Sequence, residues 1–198
     1  MKFILASASP RRARILTDAG ISFDVCAPKI DESRQPGEQV TAMALRVAKA
    51  KARAAIEQLA LTQPADPPTI FIGADTIVEL DGDALGKPVS AEAARAMLRR
   101  LSGRGHRVMT GVAILRMPDG RTECEVETTD VRITELEPRE IEWYVATGEP
   151  LDKAGGYAIQ GLGGRFIERI EGCYFNVVGL PLNRVCRILK ELGWRPGF

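Results

Sequence analysis

The stretch from Ile70 to Pro88 combines strand-forming residues with polar residues suited to chemistry. Apolar runs at Ile70–Ile72 and Ile77–Leu80 are typical of buried strands. Residues 73–76, Gly-Ala-Asp-Thr, interrupt the apolar pattern between the two runs. Asp81-Gly82 is a hairpin turn signal, so the chain is expected to fold back there as a two-strand excursion.

This excursion begins with a carboxylate and ends with an ammonium group. Asp75 follows the first apolar run, and Lys87 stands between a glycine and a proline at the far end. Such a hairpin can bring the carboxylate and the ammonium into one cleft. The alternative is that Asp75 is a turn or cap residue and Lys87 is solvated, because short polar residues favour those positions.

The composition is that of an ordinary globular protein, with 45% hydrophobic and 27% charged residues among 198. This length allows one or two domains. The formal net charge of +1 provides no global field that would attract nucleic acid or a membrane. The N-terminus lacks a long apolar signal region, and no run approaches membrane-spanning length. We expect a cytoplasmic protein.

Cysteine and histidine usage narrows the possible chemistry. Cys26, Cys124, Cys173 and Cys186 include no C-x-x-C pair, which argues against a structural zinc site and a disulfide framework. His106 is the only histidine, so a Ser-His-Asp triad or a histidine-rich metal site is not expected. Any metal ion should be a hard cation bound by carboxylates and phosphate oxygens.

The N-terminal segment predicts a phosphate-binding turn. Phe3–Ala6 is a predicted strand, and Ala13–Ala19 is a predicted short helix that Ser9 can cap and Pro10 can begin. Backbone N–H groups, hydroxyls and guanidinium groups would converge there on one anion. The candidate ligands are Ser7, Ser9, Arg11 and Arg12. The alternative is a capped helix with two solvated arginines.

A long helix is predicted over Gly37–Leu61 from its content of alanine, leucine, lysine, arginine and glutamate. At about 100° per residue, Lys51 falls on one stripe with apolar residues. The other members of this stripe are Val40, Ala44, Val47 and Ala55. Lys51 therefore either extends along its stem to solvent or reaches an anionic ligand in a cleft.

The rest of the chain predicts alternating helices and hairpins. Predicted strands are Phe23–Ala27, His106–Met117, Thr122–Leu136, Phe166–Ile170 and Tyr174–Val178, the last two as a pair. Predicted helices are Ala91–Leu101 after the cap Ser90, Pro138–Thr147 and Leu182–Leu192. The long hairpins exclude a purely parallel doubly wound sheet and indicate a mixed α/β fold.

A set of short motifs, in this order, resembles the Maf family of nucleoside triphosphate pyrophosphatases. The motifs are Ser7-x-Ser-Pro-Arg-Arg12, Ala74-Asp-Thr76, Gly86-Lys-Pro88, Leu101-Ser-Gly, His106-x-Val-x-Thr110, Asp152-Lys-Ala-Gly-x-Tyr-x-Ile-Gln-Gly161 and Asn176-Val-Val-Gly-Leu-Pro-Leu182. The resemblance implies an ITPase-like α/β fold: an elongated mixed β-sheet flanked by helices, with two lobes around a central cleft. It implies a single domain over residues 1–198 and a homodimer.

The resemblance also implies cleavage between the α and β phosphates of a nucleotide, with a divalent metal, Mg²⁺ or Mn²⁺. Three positions separate branches of the family: Arg11, Thr76 and Gln160 match the branch that acts on dTTP and UTP. A sibling branch, which resembles a pyrophosphatase for 7-methyl-GTP, has Trp, Gln and Glu at these places.

Roles follow from the same resemblance. Arg12, Lys51 and Lys87 would hold the phosphates, with the hydroxyls of Ser7 and Ser9. Glu32 and Asp75 would hold the metal ion, and Asp75 would activate the attacking water. Gln160 would bind the imide edge of thymine or uracil.

A nucleotide-binding regulator of septum formation, with little catalysis, is the alternative function. Such a protein could keep the phosphate-binding turn and dispense with a carboxylate that activates water. The expected partner in either case is a small-molecule nucleotide, without nucleic acid or membrane.

Overall fold

The computed structural model describes residues 1–59 and 68–196; the end of the predicted helix at Leu61 lies outside them. The strands are β1 (Lys2–Ala6), β2 (Asp24–Val25), β3 (Thr69–Leu80), β4 (Asp83–Leu85), β5 (Gly105–Met117), β6 (Arg121–Ile133) and β7 (Ile167–Glu171). The α-helices are α1 (Pro10–Asp18), α2 (Val40–Gln58), α3 (Ala91–Leu101), α4 (Pro138–Ala146), α5 (Tyr174–Val178) and α6 (Leu182–Glu191). Short 3₁₀ turns cover Glu149–Asp152, Ala154–Gly156 and Leu162–Phe166.

The described strands form one seven-stranded sheet in the order β2-β1-β3-β5-β6-β7, with β4 paired to β3. Strand β1 runs parallel to both β2 and β3, and places Ala6 opposite Gly73. The pairs β3–β4 and β6–β7 are antiparallel. The predicted mixed α/β fold is therefore confirmed. No helix within the described ranges is both long enough and apolar enough to cross a membrane.

The chain divides into two compact units. The first consists of residues 1–75, 110–127 and 179–198, and the second of residues 76–109 and 128–178. A core in the first unit joins Ile4, Phe71 and Ala113 to alanines of α2. In the second unit, Leu98 and Tyr144 belong to a separate core. The single domain over residues 1–198 and the central cleft stay predictions.

The predicted interruption at residues 73–76 is wrong, because strand β3 runs without a break from Thr69 to Leu80. Pairing with β1 continues as far as Gly73, and pairing with β4 starts at Val78. Neighbouring strands thus keep the backbone extended through a sequence that does not itself favour a strand. The turn predicted at Asp81-Gly82 is confirmed, and φ is 56° at Asp81 and 85° at Gly82, as a type I′ hairpin requires.

The predicted strand over Tyr174–Val178 is wrong, since these residues form the helix α5. A short apolar run does not distinguish a strand from a buried helical turn. The partner of β7 is instead β6, where Val131 lies opposite Ile170. Strand β2 is also shorter than the predicted Phe23–Ala27, because only two of its residues pair with β1.

His106 lies inside the second unit. Its Nε2 atom is 2.6 Å from the hydroxyl oxygen of Tyr157, and the two rings pack edge to face. Burial lowers the pKa of His106 to about 4, so the imidazole is neutral near pH 7.

Helix α2 packs unusually close to two central strands. A Cβ atom placed on Gly73 would lie 2.1 Å from the carbonyl oxygen of Ala48, and one on Gly111 would lie 2.3 Å from that of Ala44. Both alanines are fully buried, and Ala44 belongs to the predicted apolar stripe of α2. Glycine on the strands and alanine on the helix therefore bring the two backbones into direct contact.

We expect Gly73→Ala to lower the free energy of unfolding by about 2 kcal/mol or more, because the added methyl group must displace α2. Urea denaturation measures this change. Gly105→Ala is the matched control: Gly105 begins β5, and a Cβ there meets nothing within 4 Å. The control should change stability by less than about 0.5 kcal/mol. Small effects at both positions would contradict the close packing of α2.

Candidate active site

The turn between β1 and α1 is built as its sequence predicts. The Ser9 hydroxyl caps α1 by accepting from the backbone N–H of Arg12 at 3.5 Å, and Pro10 begins the helix. The Ser7 hydroxyl accepts from the backbone N–H of Ser9 at 3.2 Å. Arg11 is half-buried. Two hydroxyls, an arginine and the positive end of a helix therefore occupy one short segment, which suits an anion.

Arg12 is buried, with 7% of its surface exposed. Its Nη1 group donates to the Ser7 hydroxyl at 3.0 Å and to the carbonyl oxygen of Ala74 at 2.9 Å. Its Nε group donates to the carbonyl oxygen of Gly179 at 2.7 Å. The guanidinium thus joins the end of β1, strand β3 beside Asp75 and the segment before α6. It positions the site in addition to supplying positive charge.

The electrostatic surroundings of Arg12 are mixed. Burial lowers the pKa of the Arg12 guanidinium, while the carboxylates of Asp75 and Glu32 oppose that shift. A guanidinium stays protonated in proteins even so. The site therefore combines a positively charged Arg12 with the carboxylates of Asp75 and Glu32.

Lys51 joins these two carboxylates. Its ammonium lies 2.8 Å from Oδ1 of Asp75 and 2.9 Å from Oε1 of Glu32. Lys51 and Asp75 are 9% and 7% exposed, whereas 54% of the Glu32 side chain is exposed. The predicted inward direction of Lys51 is confirmed, and its partners are carboxylates. A nearly buried carboxylate requires such a positive partner.

The loop that carries Glu32 is bound to α2 through hydrogen bonds and an ion pair. Arg46 donates to the carbonyl oxygen of Ser33 at 2.8 Å and pairs with Glu38 at 2.6 Å. The hydrogen bond from Arg46 lowers the pKa of Glu38 to about 2. Asp31 accepts from the backbone N–H of Ser33 at 2.8 Å. The residue after Glu32 is therefore bound to α2, the helix that also carries Lys51.

Glu32 and Asp75 fit a divalent metal ion, because their oxygens already converge on one cation, the ammonium of Lys51. No group of three or more His, Cys, Asp or Glu side chains suited to a metal occurs in the described parts of the chain. Two carboxylates suffice for Mg²⁺ where substrate phosphates and water supply the other oxygens.

The second unit contains the other predicted site residues. Thr76 is half-buried on β3, and Lys87 is exposed between Leu85 and the buried Pro88. Gln160 is exposed on the glycine-rich segment before the last 3₁₀ turn, and its Nε2 group donates to the Tyr174 hydroxyl at 3.2 Å.

The glycine-rich segment is anchored by a residue that sequence reasoning missed. The Glu149 carboxylate accepts from the backbone N–H groups of Leu162 and Gly163, at 3.0 and 2.9 Å, and from the Tyr144 hydroxyl at 2.9 Å. Burial opposes ionisation of Glu149, but these three donors lower its pKa below the ordinary value. A Cβ on Gly161 would lie 2.7 Å from the carboxylate, so the glycine allows this close approach. No sequence pattern marks Glu149, which stands just before the motif that starts at Asp152.

The family model described as "Maf-like protein" matches residues 2–192. The chain belongs to the Maf-like protein family. It is 48% identical over 195 residues to a dTTP/UTP pyrophosphatase of Anaeromyxobacter sp., covering 97% of this chain and 90% of that relative. A dTTP/UTP pyrophosphatase of Geobacillus sp. is 48% identical over 197 residues, covering 98% of this chain and 99% of that relative.

A solved structure supports the fold of this Maf-like chain. The Staphylococcus aureus Ham1 protein superposes with a TM-score of 0.51 at 16% sequence identity, covering 97% of this chain and 100% of that protein. At this identity the similarity concerns the fold alone. The family and the fold class predicted from sequence are thus confirmed, while the roles of the individual site residues stay predictions.

In this Maf-like chain we expect Lys51→Met to lower the free energy of unfolding by about 3 kcal/mol, because it removes the cation that contacts the buried Asp75 carboxylate. The sequence alone predicts little loss of thermal stability, or even a gain, since an inward charge is replaced by an apolar chain. Urea denaturation measures the change, and Lys49→Met, on the same helix, is the matched control.

A double variant tests the cause. Combining Lys51→Met with Asp75→Asn removes both charges and should restore most of the lost stability. A double variant as unstable as the sum of its two single variants would contradict the coupling between Lys51 and Asp75.

Proposed function

We propose that this protein is a nucleoside triphosphate pyrophosphatase that hydrolyses dTTP and UTP to the monophosphate and pyrophosphate. The observation that carries the proposal is the 48% identity, over nearly the whole chain, to relatives that are named dTTP/UTP pyrophosphatases. In this reaction water adds to the α-phosphorus, and the bond to the oxygen that bridges to the β-phosphate breaks. The electron pair leaves with pyrophosphate.

Asp75 is the proposed catalytic residue. Its carboxylate is nearly buried on a continuous strand and is held by Lys51, so its position is fixed before substrate binds. A carboxylate so placed can orient water and accept its proton. Glu32, which is more exposed on its loop, has the freer side chain of the two.

The phosphates are proposed to bind the N-terminal turn and the lysines. The Ser7 and Ser9 hydroxyls and Arg11 lie at the start of α1. The ammonium of Lys51 has three donors and can exchange a carboxylate partner for a phosphate oxygen. Lys87, which is exposed, would add a further positive charge. Phosphoryl transfer gains mainly from this kind of positioning and charge neutralisation.

We also propose that a divalent cation, Mg²⁺ or Mn²⁺, binds to Glu32 and Asp75. When bound, such an ion neutralises phosphate charge and lowers the pKa of a coordinated water. The Lys51 ammonium lies within hydrogen-bond distance of both carboxylates, so their oxygens already face one common point at which a cation can bind. The proposal includes a homodimer, which the family resemblance implies, and a cytoplasmic location, which the cysteine usage favours.

Base selection is assigned to Arg11, Thr76 and Gln160. Thymine and uracil present an N3–H donor between two carbonyl acceptors, whereas cytosine presents an unprotonated N3 beside an amino group. A carboxamide, which has one acceptor and one donor end, can complement either pattern according to its orientation. Discrimination is large where the wrong base leaves buried polar groups unpaired.

We expect the wild-type protein to hydrolyse dTTP and UTP at least about 100-fold more efficiently than CTP or GTP, the discrimination expected of sites built around hydrogen bonds. Pyrophosphate release from each nucleotide measures kcat/KM, with Mg²⁺ or Mn²⁺ and again after chelation. Activity should depend on the added cation. Faster hydrolysis of GTP or 7-methyl-GTP would show that the branch assignment is wrong.

We expect Asp75→Asn to lower kcat by about 100-fold or more, because the amide keeps the shape of the side chain but cannot accept the proton. Thermal unfolding checks that the variant folds, and retained UTP binding separates loss of chemistry from loss of substrate. Near-normal turnover by a folded Asp75→Asn protein would refute the catalytic assignment and favour the nucleotide-binding regulator.

A further inference from the structure

The hydrogen bonds at Ser7 determine what its hydroxyl can still do. A serine hydroxyl accepts two hydrogen bonds and donates one. The Ser7 oxygen accepts from the backbone N–H of Ser9 at 3.2 Å and from Nη1 of Arg12 at 3.0 Å. A backbone N–H and a guanidinium can only donate, so the direction of both bonds is fixed. Both acceptor positions of Ser7 are thus filled, and the hydroxyl hydrogen is left to donate.

The Arg12 guanidinium that imposes this arrangement is held inside the first unit. Ser7 and Arg12 are both buried. The other hydrogen of Nη1 goes to the carbonyl oxygen of Ala74 at 2.9 Å, and the single hydrogen of Nε goes to that of Gly179 at 2.7 Å. These two bonds and the one to Ser7 are all buried. A hydrogen bond away from water is electrostatically stronger than an exposed one, so Arg12 stays within reach of the Ser7 hydroxyl.

The position of Arg12 in the sheet relates Ser7 to the proposed catalytic residue. Strands β1 and β3 pair as far as Ala6 and Gly73. Ser7 and Ala74 are the next residues along the two strands, and one nitrogen of Arg12 binds both of them. Asp75 follows Ala74 directly. The Ser7 hydroxyl and the backbone beside Asp75 are therefore held by the same guanidinium.

Ser9 shows how the second hydroxyl of the turn differs. Among the described residues its oxygen accepts from the backbone N–H of Arg12 alone, at 3.5 Å, and Ser9 is half-buried. One acceptor position remains, so Ser9 can accept from a ligand as well as donate to it. Ser7 can only donate. It matches a group that only accepts, such as an ionised phosphate oxygen.

We propose that Arg12 is a positioning residue for phosphate binding, which fixes Ser7 as a hydrogen-bond donor to an ionised phosphate oxygen of the nucleotide. Ser7 contacts the substrate, and Arg12 acts through it. This assignment replaces the direct phosphate contact of Arg12 that the family resemblance implies. The inference rests on the proposed function and deepens it.

The test of the donor role measures binding without cleavage. The probe is a UTP analogue in which a methylene group replaces the oxygen that bridges the α and β phosphates, and calorimetry gives its Kd with Mg²⁺ present. Ser7→Ala should raise this Kd about tenfold or more, because a hydrogen bond to a charged group is lost. An unchanged Kd in a folded Ser7→Ala protein would overturn the proposal.

A double-mutant cycle tests whether Arg12 acts through Ser7. Arg12→Lys keeps the charge but lacks the planar guanidinium, so it cannot bind the same three acceptors together. The Kd of the analogue should rise when Ser7 is present and should rise no further in the Ser7→Ala background. An equal rise in both backgrounds would mean that Arg12 contacts the phosphates itself, and no rise in either would mean that it does not position Ser7. Both results would overturn the proposal.

Controls separate this role from a purely structural one. Arg14→Lys is the matched control, because Arg14 lies on the same helix, is exposed and pairs with Asp18, so its replacement should leave the Kd unchanged. Thermal unfolding is recorded for every variant. If Arg12→Lys does not fold, Arg12→Gln takes its place. The charge lost is then the same in both backgrounds, so the difference between them still reports action through Ser7.

The outcomes also distinguish this inference from the proposed function. A wild type that hydrolyses UTP, with a Ser7→Ala variant that binds the analogue as tightly, would leave the proposed function standing and overturn the roles of Ser7 and Arg12. A wild type that neither hydrolyses UTP nor binds the analogue would contradict the proposed function and this inference with it.

Discussion

The direct contact between the backbone of α2 and the central strands determines where the charged groups of the first unit meet. Gly73 and Ala48 define that contact. Asp75 lies two residues after Gly73 on β3, and Lys51 lies three residues after Ala48 on α2. A lysine side chain bridges only a short gap, so the 2.8 Å ion pair exists because strand and helix are this close. A larger side chain at the contact would move strand and helix apart and so lengthen the distance between Lys51 and Asp75.

This closeness also explains the high charge density of the site. Lys51, Arg12 and Asp75 are all nearly buried, and removing ions from water costs free energy that only good pairing recovers. The cations and carboxylates compensate one another in the absence of a ligand. A substrate that brings its own negative charge must enter this balance, and therefore meets lysine and arginine donors that already have fixed positions. Such preorganisation is what electrostatic catalysis requires.

The features that sequence predicted well depend on neighbours along the chain. The Ser9 cap, the turn at Asp81-Gly82 and the inward face of Lys51 each follow from a local pattern that the structure keeps. The resemblance to the Maf family added the fold class, which no single segment could supply.

What sequence could not predict depends on partners far along the chain. Strand β3 continues through Asp75 because other strands pair with it on both sides of that residue. Helix α5 is held against β5 and β6 by Asn176, which donates to the carbonyl oxygen of Val108 and to the Thr129 hydroxyl. Glu149 looked like an ordinary loop residue, since its partners are backbone N–H groups that no side-chain pattern reveals.

The stability of this protein depends on pH through the buried His106. Because its pKa is about 4 in the folded chain and 6.5 ordinarily, the unfolded chain binds the extra proton first as pH falls. Stability from this residue is complete above about pH 6.5 and declines between that value and about 4. No other histidine exists in the sequence. A change of activity between pH 6 and 7 therefore cannot be assigned to the imidazole of His106.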